Sequence, residues 1–107
     1  LCPTVNSVKL GVLGTAYRNA GRYEDAIQTF KRCLVQHPDF LYAHTSMAVV
    51  YGLMGDLDAA RHEVAETLRM DPTYTVARVI TPNFYSDPAV MARSAEALRN
   101  AGLPEGG

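Results

Sequence analysis

Cys33 and His37 stand four residues apart, a spacing that sets both side chains on one face of a helix. A thiol and an imidazole are zinc ligands, and a thiolate is also a nucleophile. Two ligands fall short of a zinc site, which needs four, or three and a water. Asp58, His62 and Glu66 run at four-residue steps along another helical face. Such a row suits a divalent cation or acid–base chemistry, but its commoner meaning is charge pairing on a solvated surface. His44 lies on a third helix and is expected to make a partly buried polar contact. Gly11 and Gly14 sit inside a helical pattern, with no preceding strand and no following Lys-Ser/Thr, so they do not make a phosphate loop. No Gly-x-Ser-x-Gly occurs. Neither catalysis, a cofactor nor a metal is expected from these residues.

Composition points the same way. The chain has 107 residues, one domain's worth, with 48% apolar and 20% charged residues, an ordinary globular balance. Ten basic and 11 acidic residues leave a net charge of -1 and no basic block, so little counterion release is on offer to drive nucleic-acid binding. No apolar run approaches the ~18 residues of a membrane span. Leu1-Cys2-Pro3-Thr4 lack the charged start and apolar stretch of a signal peptide. Two widely spaced cysteines, Cys2 and Cys33, form no disulfide framework and suit reduced thiols in a cytoplasmic protein. With no Met at its start, the chain reads as part of a longer protein.

The elements that carry these residues repeat. A shift of 34 residues sets Tyr17 on Tyr51, Gly21 on Gly55, Ala26 on Ala60, Leu34 on Leu68 and Pro38 on Pro72. Each match has a mechanical role. Gly21 and Gly55 accept the left-handed conformation where a first helix stops and reverses. Pro38 and Pro72 prevent a second helix from continuing. Ala26 and Ala60 let paired helices approach closely, and Tyr17 and Tyr51 fill the space that pairing leaves. Apolar residues recur at threes and fours between these markers, predicting helices at about 5–20, 23–36, 40–54 and 57–70. Asp39, Asp56 and Thr73 are the expected helix starts, while Glu24, Asp25 and Asp58 place negative charge in first turns.

The segment with Leu10, Leu13, Gly14, Tyr17, Gly21, Tyr23, Ala26, Phe30 and Pro38 resembles a tetratricopeptide repeat. A second unit, through Met47, Ala48, Tyr51, Gly55, Leu57, Ala60 and Pro72, is similar. The resemblance covers about residues 7–74 and implies an all-α fold, antiparallel helix pairs stacked as a short right-handed superhelix. His44 stands where a large apolar residue opens the unit, and Thr67 where a small Ala is usual. Both departures suggest a looser second pair. Cys33 falls on a slot for a small buried residue and reads as core.

One domain is expected over 1–107, with repeat 1 at about 7–40, repeat 2 at about 41–74, and a degenerate third unit with a cap at 75–103. The third unit opens with Val76, Ala77, Val79 and Ile80, then Pro82 pushes Thr81 out of helical geometry. Asp87-Pro88 starts a last helix with the apolar face Val90, Met91, Ala95, Leu98 and Ala101, and Gly102-Leu103 reads as a Schellman stop. Arg93, Glu96, Arg99 and Asn100 supply the polar outer face that a terminal cap needs. This tail is similar to the end of tetratricopeptide regions closing certain bacterial nucleotide cyclases and transcription regulators, which implies a regulatory or dimerising region of a signalling protein.

In such arrays the first helix of each pair lines a concave surface. The resemblance puts Val8, Gly11, Thr15, Arg18 and Asn19, then Tyr42, Thr45, Val49, Gly52 and Leu53, on that surface. Tyr42, Val49 and Leu53 suit an apolar peptide or helix, and Arg18 and Asn19 its backbone or an acidic group. Repeats that clamp the terminal carboxylate of heat-shock chaperones carry Lys and Asn where this chain has Gly11 and Thr15, which argues against that ligand. The expected function is a non-catalytic interaction module holding a protein, a peptide or the rest of its own chain. The uncapped first helix, with Val5, Val8 and Val12, would be covered by homodimerisation.

The register makes a direct prediction. Ala60→Leu should overpack the second helix pair and lower stability by about 1–3 kcal/mol. An unchanged urea or thermal transition would contradict the placement of Ala60 at the closest approach.

Overall fold

A computed structural model describes residues 3–80 and 87–106, with the side chains of its first helix described from Val8 onward. Among the described residues six helices follow in order: α1 (Pro3–Asn19), α2 (Tyr23–Gln36), α3 (Leu41–Met54), α4 (Leu57–Met70), α5 (Val76–Val79) and α6 (Pro88–Asn100). No described residue lies in a strand. The four predicted long helices agree with α1–α4 to within two residues. The break expected at Thr81-Pro82 lies outside the described residues, although α5 ends just before it, at Val79.

The glycine stops form as their chemistry requires. Gly21, Gly55 and Gly102 have φ of 78°, 86° and 102°. At each, the next residue's N–H reaches back to the last turn: Arg22 to Tyr17 (2.9 Å), Asp56 to Tyr51 (2.9 Å) and Leu103 to Leu98 (3.0 Å). These are Schellman closures, which satisfy carbonyls the helix end would otherwise leave open. Asp56 then caps α4 by accepting from the Ala59 N–H, and Asp87 caps α6 by accepting from Ala89. Asp39 and Thr73 are not caps. The residue before α3 is Phe40, with no side-chain cap, and Thr75 caps α5 by accepting from Arg78. Thr73 instead folds onto the Asp71 carboxylate in the turn around Pro72.

Packing depends on α3, the central helix. Its Ala43, Met47 and Val50 bury against Ala26, Ile27, Phe30 and Cys33 of α2. Its Ala48 and Val49 bury against Ala60 and Val64 of α4 and against Ala95 and Leu98 of α6. A helix buried on both sides must be apolar all round, and Leu41–Met54 contains no Asp, Glu, Lys or Arg. Tyr51 joins both clusters. Close approach depends on missing bulk: a Cβ on Gly14 would stand 2.6 Å from Phe30 Cζ, and one on Gly52 would stand 2.4 Å from Ala97 Cβ. The tail closes the other end, with Pro104 and Glu105 carbonyls accepting from the Val76 and Ala77 N–H groups of α5.

The second helix pair is not loosened by its two departures. Thr67 is fully buried and donates to the Glu63 carbonyl at 2.9 Å, so its hydroxyl is satisfied within α4. His44 crosses from α3 to α4. Its Nδ1 lies 2.8 Å from Glu63 Oε1 and its Nε2 lies 3.0 Å from the Pro38 carbonyl oxygen. Both partners accept, so only the imidazolium satisfies both contacts. The two side chains are 12% and 11% exposed. The Glu63 hydrogen bond raises the His44 pKa above its ordinary 6.5, against the opposing pull of burial. The charged form is thus favoured in the folded chain. Its stabilisation is whole below about pH 6.5 and fades as pH rises through the folded value. Urea unfolding midpoints should therefore fall between the two, and Glu63→Gln should flatten that fall. His44→Ala should lower stability by about 1–3 kcal/mol at pH 6. A midpoint that is level across this range, in a chain where Glu63→Gln changes nothing, would contradict the ion pair.

Candidate protein-binding face

The residues first considered for chemistry are placed elsewhere in the structure. Cys33 is fully buried in the core beneath α3. The His37 ring stacks on Phe40, with centroids 5.4 Å apart. Asp58 pairs with Arg61 at 3.8 Å and Glu66 with Arg69 at 3.2 Å, each three residues along the exposed face of α4. Exposed pairs of this kind are worth little. Among the described residues no three metal-ligating groups come together.

The expected concave surface divides in two. In its second half Val49 is fully buried, and Gly52 lies directly under Ala97 of α6. Leu53 is half-buried beside them. The last helix thus lies on the face of α3 that the repeat pattern would leave for a ligand. A shallow furrow of about 210 Å³ remains on that side, along Gly52, Leu53, Arg93, Glu96, Ala97 and Asn100. Because α6 is separated from α3 by more than 30 residues, no local pattern signalled this docking.

In the first half the described residues leave two compartments. The outer one is a basin of about 290 Å³ lined by Val8, Val12, Phe40 and Tyr42, with almost no polar wall. Val8 and Val12 are 48% and 64% exposed. Beside the basin α1 approaches α3 closely, since a Cβ on Gly11 would come within 3.2 Å of the Tyr42 ring. Thr15, buried, donates to the Gly11 carbonyl at 3.0 Å and also meets the Tyr42 hydroxyl, so the ring is held upright between α1 and α3.

The inner compartment is a chamber of about 50 Å³. Arg18 of α1 and Tyr42, Thr45, Ser46 and Val49 of α3 form one side. Tyr74, Arg78 and Val79, at and before α5, form the other. Arg18 is only 4% exposed, and Asn19, at the surface, accepts from its Nε and Nη2 at 3.4 and 3.1 Å. Thr45 donates within its own helix, to the Leu41 and Tyr42 carbonyls. Arg78 stacks on Tyr74, 4.3 Å from the ring centroid, and its Nη1 donates to Asp71 at 3.2 Å. The Thr73 hydroxyl and backbone N–H hold the Asp71 carboxyl below the usual range, so it stays charged opposite Arg78. Burial pushes the Tyr74 phenol up, which keeps it a neutral hydroxyl.

Of the residues expected on the surface, Val8, Arg18, Tyr42 and Thr45 line these compartments with Thr15 and Asn19 bonded beside them, Val49 lines the chamber while also packing towards α6, and Leu53 packs towards α6 alone. Tyr74 and Arg78 were missed. Their signal was weak, since Tyr74 precedes and Arg78 lies within a helix of four residues whose position depends on the chain's end. Glu63 was missed as well, although a histidine on an apolar slot calls for a buried partner from the facing helix.

Two helix pairs, each reversed at a left-handed glycine and nested on an alanine, are accompanied by an independent match. A family profile described as tetratricopeptide repeat covers residues 17–79, more than half of the chain. No curated protein matches the chain as a relative. With the repeat pattern, the all-helical packing and the profile in agreement, this chain belongs to the tetratricopeptide-repeat family.

Proposed function

We propose that the chain is a non-catalytic interaction module that takes a segment of another protein along α1 and the start of α3. Tetratricopeptide repeats in general act in protein–protein interaction, and the observation that carries the reading here is the open apolar basin at Val8, Val12, Phe40 and Tyr42. An apolar recess with polar groups beyond it suits a peptide or helix whose side chains supply the anchor. The docking of α6 on Gly52 restricts the partner to the α1 half of the face.

A second reading has its own support. Val12 and Leu13 are 64% and 41% exposed on the outer edge of α1, where a second copy or a neighbouring unit would bury them. In a longer bacterial signalling protein the same edge would serve a regulatory or dimerising role in the cytoplasm.

Selection of random peptides displayed on phage, against the whole chain, tests the first reading. Enriched peptides should bind in solution, and Val12→Asp should weaken them roughly tenfold, about 1.4 kcal/mol, without lowering the melting temperature. Sedimentation at several concentrations tests the second. A dimer that Val12→Asp dissociates, together with no peptide binding, would replace the first reading with the second. A monomer that enriches no peptide would overturn both.

A further inference from the structure

The apolar basin and the chamber share one wall, Tyr42. Charge is not what the chamber has left to offer. Arg18 is engaged, with Asn19 among its partners, and Arg78 is ion-paired with Asp71 at 3.2 Å. Thr45 donates within α3, and the Tyr42 hydroxyl meets Thr15. Two neutral hydroxyls remain without a bond among the described residues, Ser46 on α3 and Tyr74 on the opposite wall. Resting on the interaction-module reading, we propose that this face holds an extended peptide at two points, with a bulky apolar side chain in the basin and the carboxamide of an Asn or Gln between the Ser46 and Tyr74 hydroxyls of the chamber.

Three observations carry it. First, Ser46 is 4% exposed, yet its hydroxyl is bonded to no described residue. Among the described residues the side-chain nitrogen or oxygen that is both sealed from water and unbonded is His37 Nδ1. The Ser46 hydroxyl is thus reached by solvent, and the space that reaches it is the chamber it lines. A buried hydroxyl that the fold leaves unbonded calls for a partner from outside. Second, the free groups match an amide. Burial pushes the Tyr74 phenol up, so it stays a neutral hydroxyl. Each of the two hydroxyls can donate and accept, and a carboxamide does both in one plane, whereas a carboxylate only accepts. The chamber, at about 50 Å³, exceeds the roughly 10–15 Å³ that one water needs, which leaves room for a group of three heavy atoms. Third, the helices fix the spacing. The midpoint of Phe40 and Tyr42 is five residues before Ser46, and that of Val8 and Val12 is eight residues before Arg18. At 1.5 Å per residue these separations are roughly 8 and 12 Å. An extended peptide covers them in about two to four residues at roughly 3.3 Å each, and residues two or four apart point to the same side. The ligand class is therefore an extended segment with Asn or Gln two or four positions from a bulky apolar residue.

The test uses one phage-selected peptide, synthesised without any other Asn or Gln. One twin carries the apolar isostere, Leu for Asn or Met for Gln, and a second carries the matching acid. Binding is followed by fluorescence anisotropy with the whole chain, with Ser46→Ala and with Tyr74→Phe. Because the Ser46 hydroxyl makes no bond inside the chain, Ser46→Ala should not lower the melting temperature. The carboxamide peptide should bind the unmodified chain roughly tenfold more tightly than its apolar twin, and Ser46→Ala should erase most of that difference without weakening the apolar twin. Tyr74→Phe should narrow the same gap. Selected peptides without Asn or Gln at that spacing, or twins that bind equally, would leave the chamber to water and overturn the two-point site. So would an acidic twin that binds more tightly than the carboxamide one, a preference that survives Ser46→Ala, or a lower melting temperature in that variant, which would reveal a partner for the hydroxyl within the chain. Each of these outcomes leaves the interaction module standing. Failure to enrich any peptide would remove the module reading itself, and the site with it.

Discussion

Helices can share a core this small only where side-chain bulk is missing at the crossing points. Gly14 lies under Phe30, Ala26 and Ala60 sit fully buried between paired helices, and Gly52 lies under Ala97. Each pair closes because one partner contributes backbone where the other contributes side chain. The consequences propagate. Close pairing at Gly14 lets Phe30 reach the face of α3, and α3 in turn is covered on its other side by α4 and α6. A helix buried on both sides has no polar face left to solvate, which is why Leu41–Met54 reads as almost wholly apolar.

The one charged exception in that central helix shows how polarity is tolerated there. His44 sits where a bulky apolar side chain would normally wedge the pair. It remains because Glu63 and the Pro38 carbonyl accept both of its N–H groups. The raised pKa follows from that geometry, and stability becomes a function of pH as the imidazolium gives up its proton. The pair ties α3 to α4 directionally, whereas the surrounding apolar contacts have no preferred direction. It leaves the α1 side of α3, where the open compartments lie, untouched.

The repeat itself was legible in the residues because its signals are local. Glycine stops, alanine crossings and proline breaks act within one or two turns, and the bounds of α1–α4 follow from them. The caps were legible where a side chain does the work, at Asp56 and Asp87, and not at α3, where Phe40 precedes the helix without a side-chain bond. The face was half legible. Val8, Thr15, Arg18 and Tyr42 were placed by repeat position, but the helix that covers Val49 and Gly52 comes from far along the chain, and the pattern carries no marker of where it lands. Tyr74 and Arg78 join Arg18 for the same reason: the chain's end, through Pro104 and Glu105, positions the short α5 that carries Arg78 and that Tyr74 precedes.

The division of the face into a sealed half and an open half depends on α6 lying against Gly52. Hydrogen exchange of the amides of α6, compared between the unmodified chain and Gly52→Ala, tests this most directly. Alanine is the better helix former by roughly 1 kcal/mol, so an undocked α3 would gain from the substitution. Docking against Ala97 instead calls for faster exchange across Pro88–Asn100, with α1 and α2 keeping their protection. Unchanged or slower exchange in α6 would contradict the sealed half, and with it the confinement of binding to α1 and the start of α3.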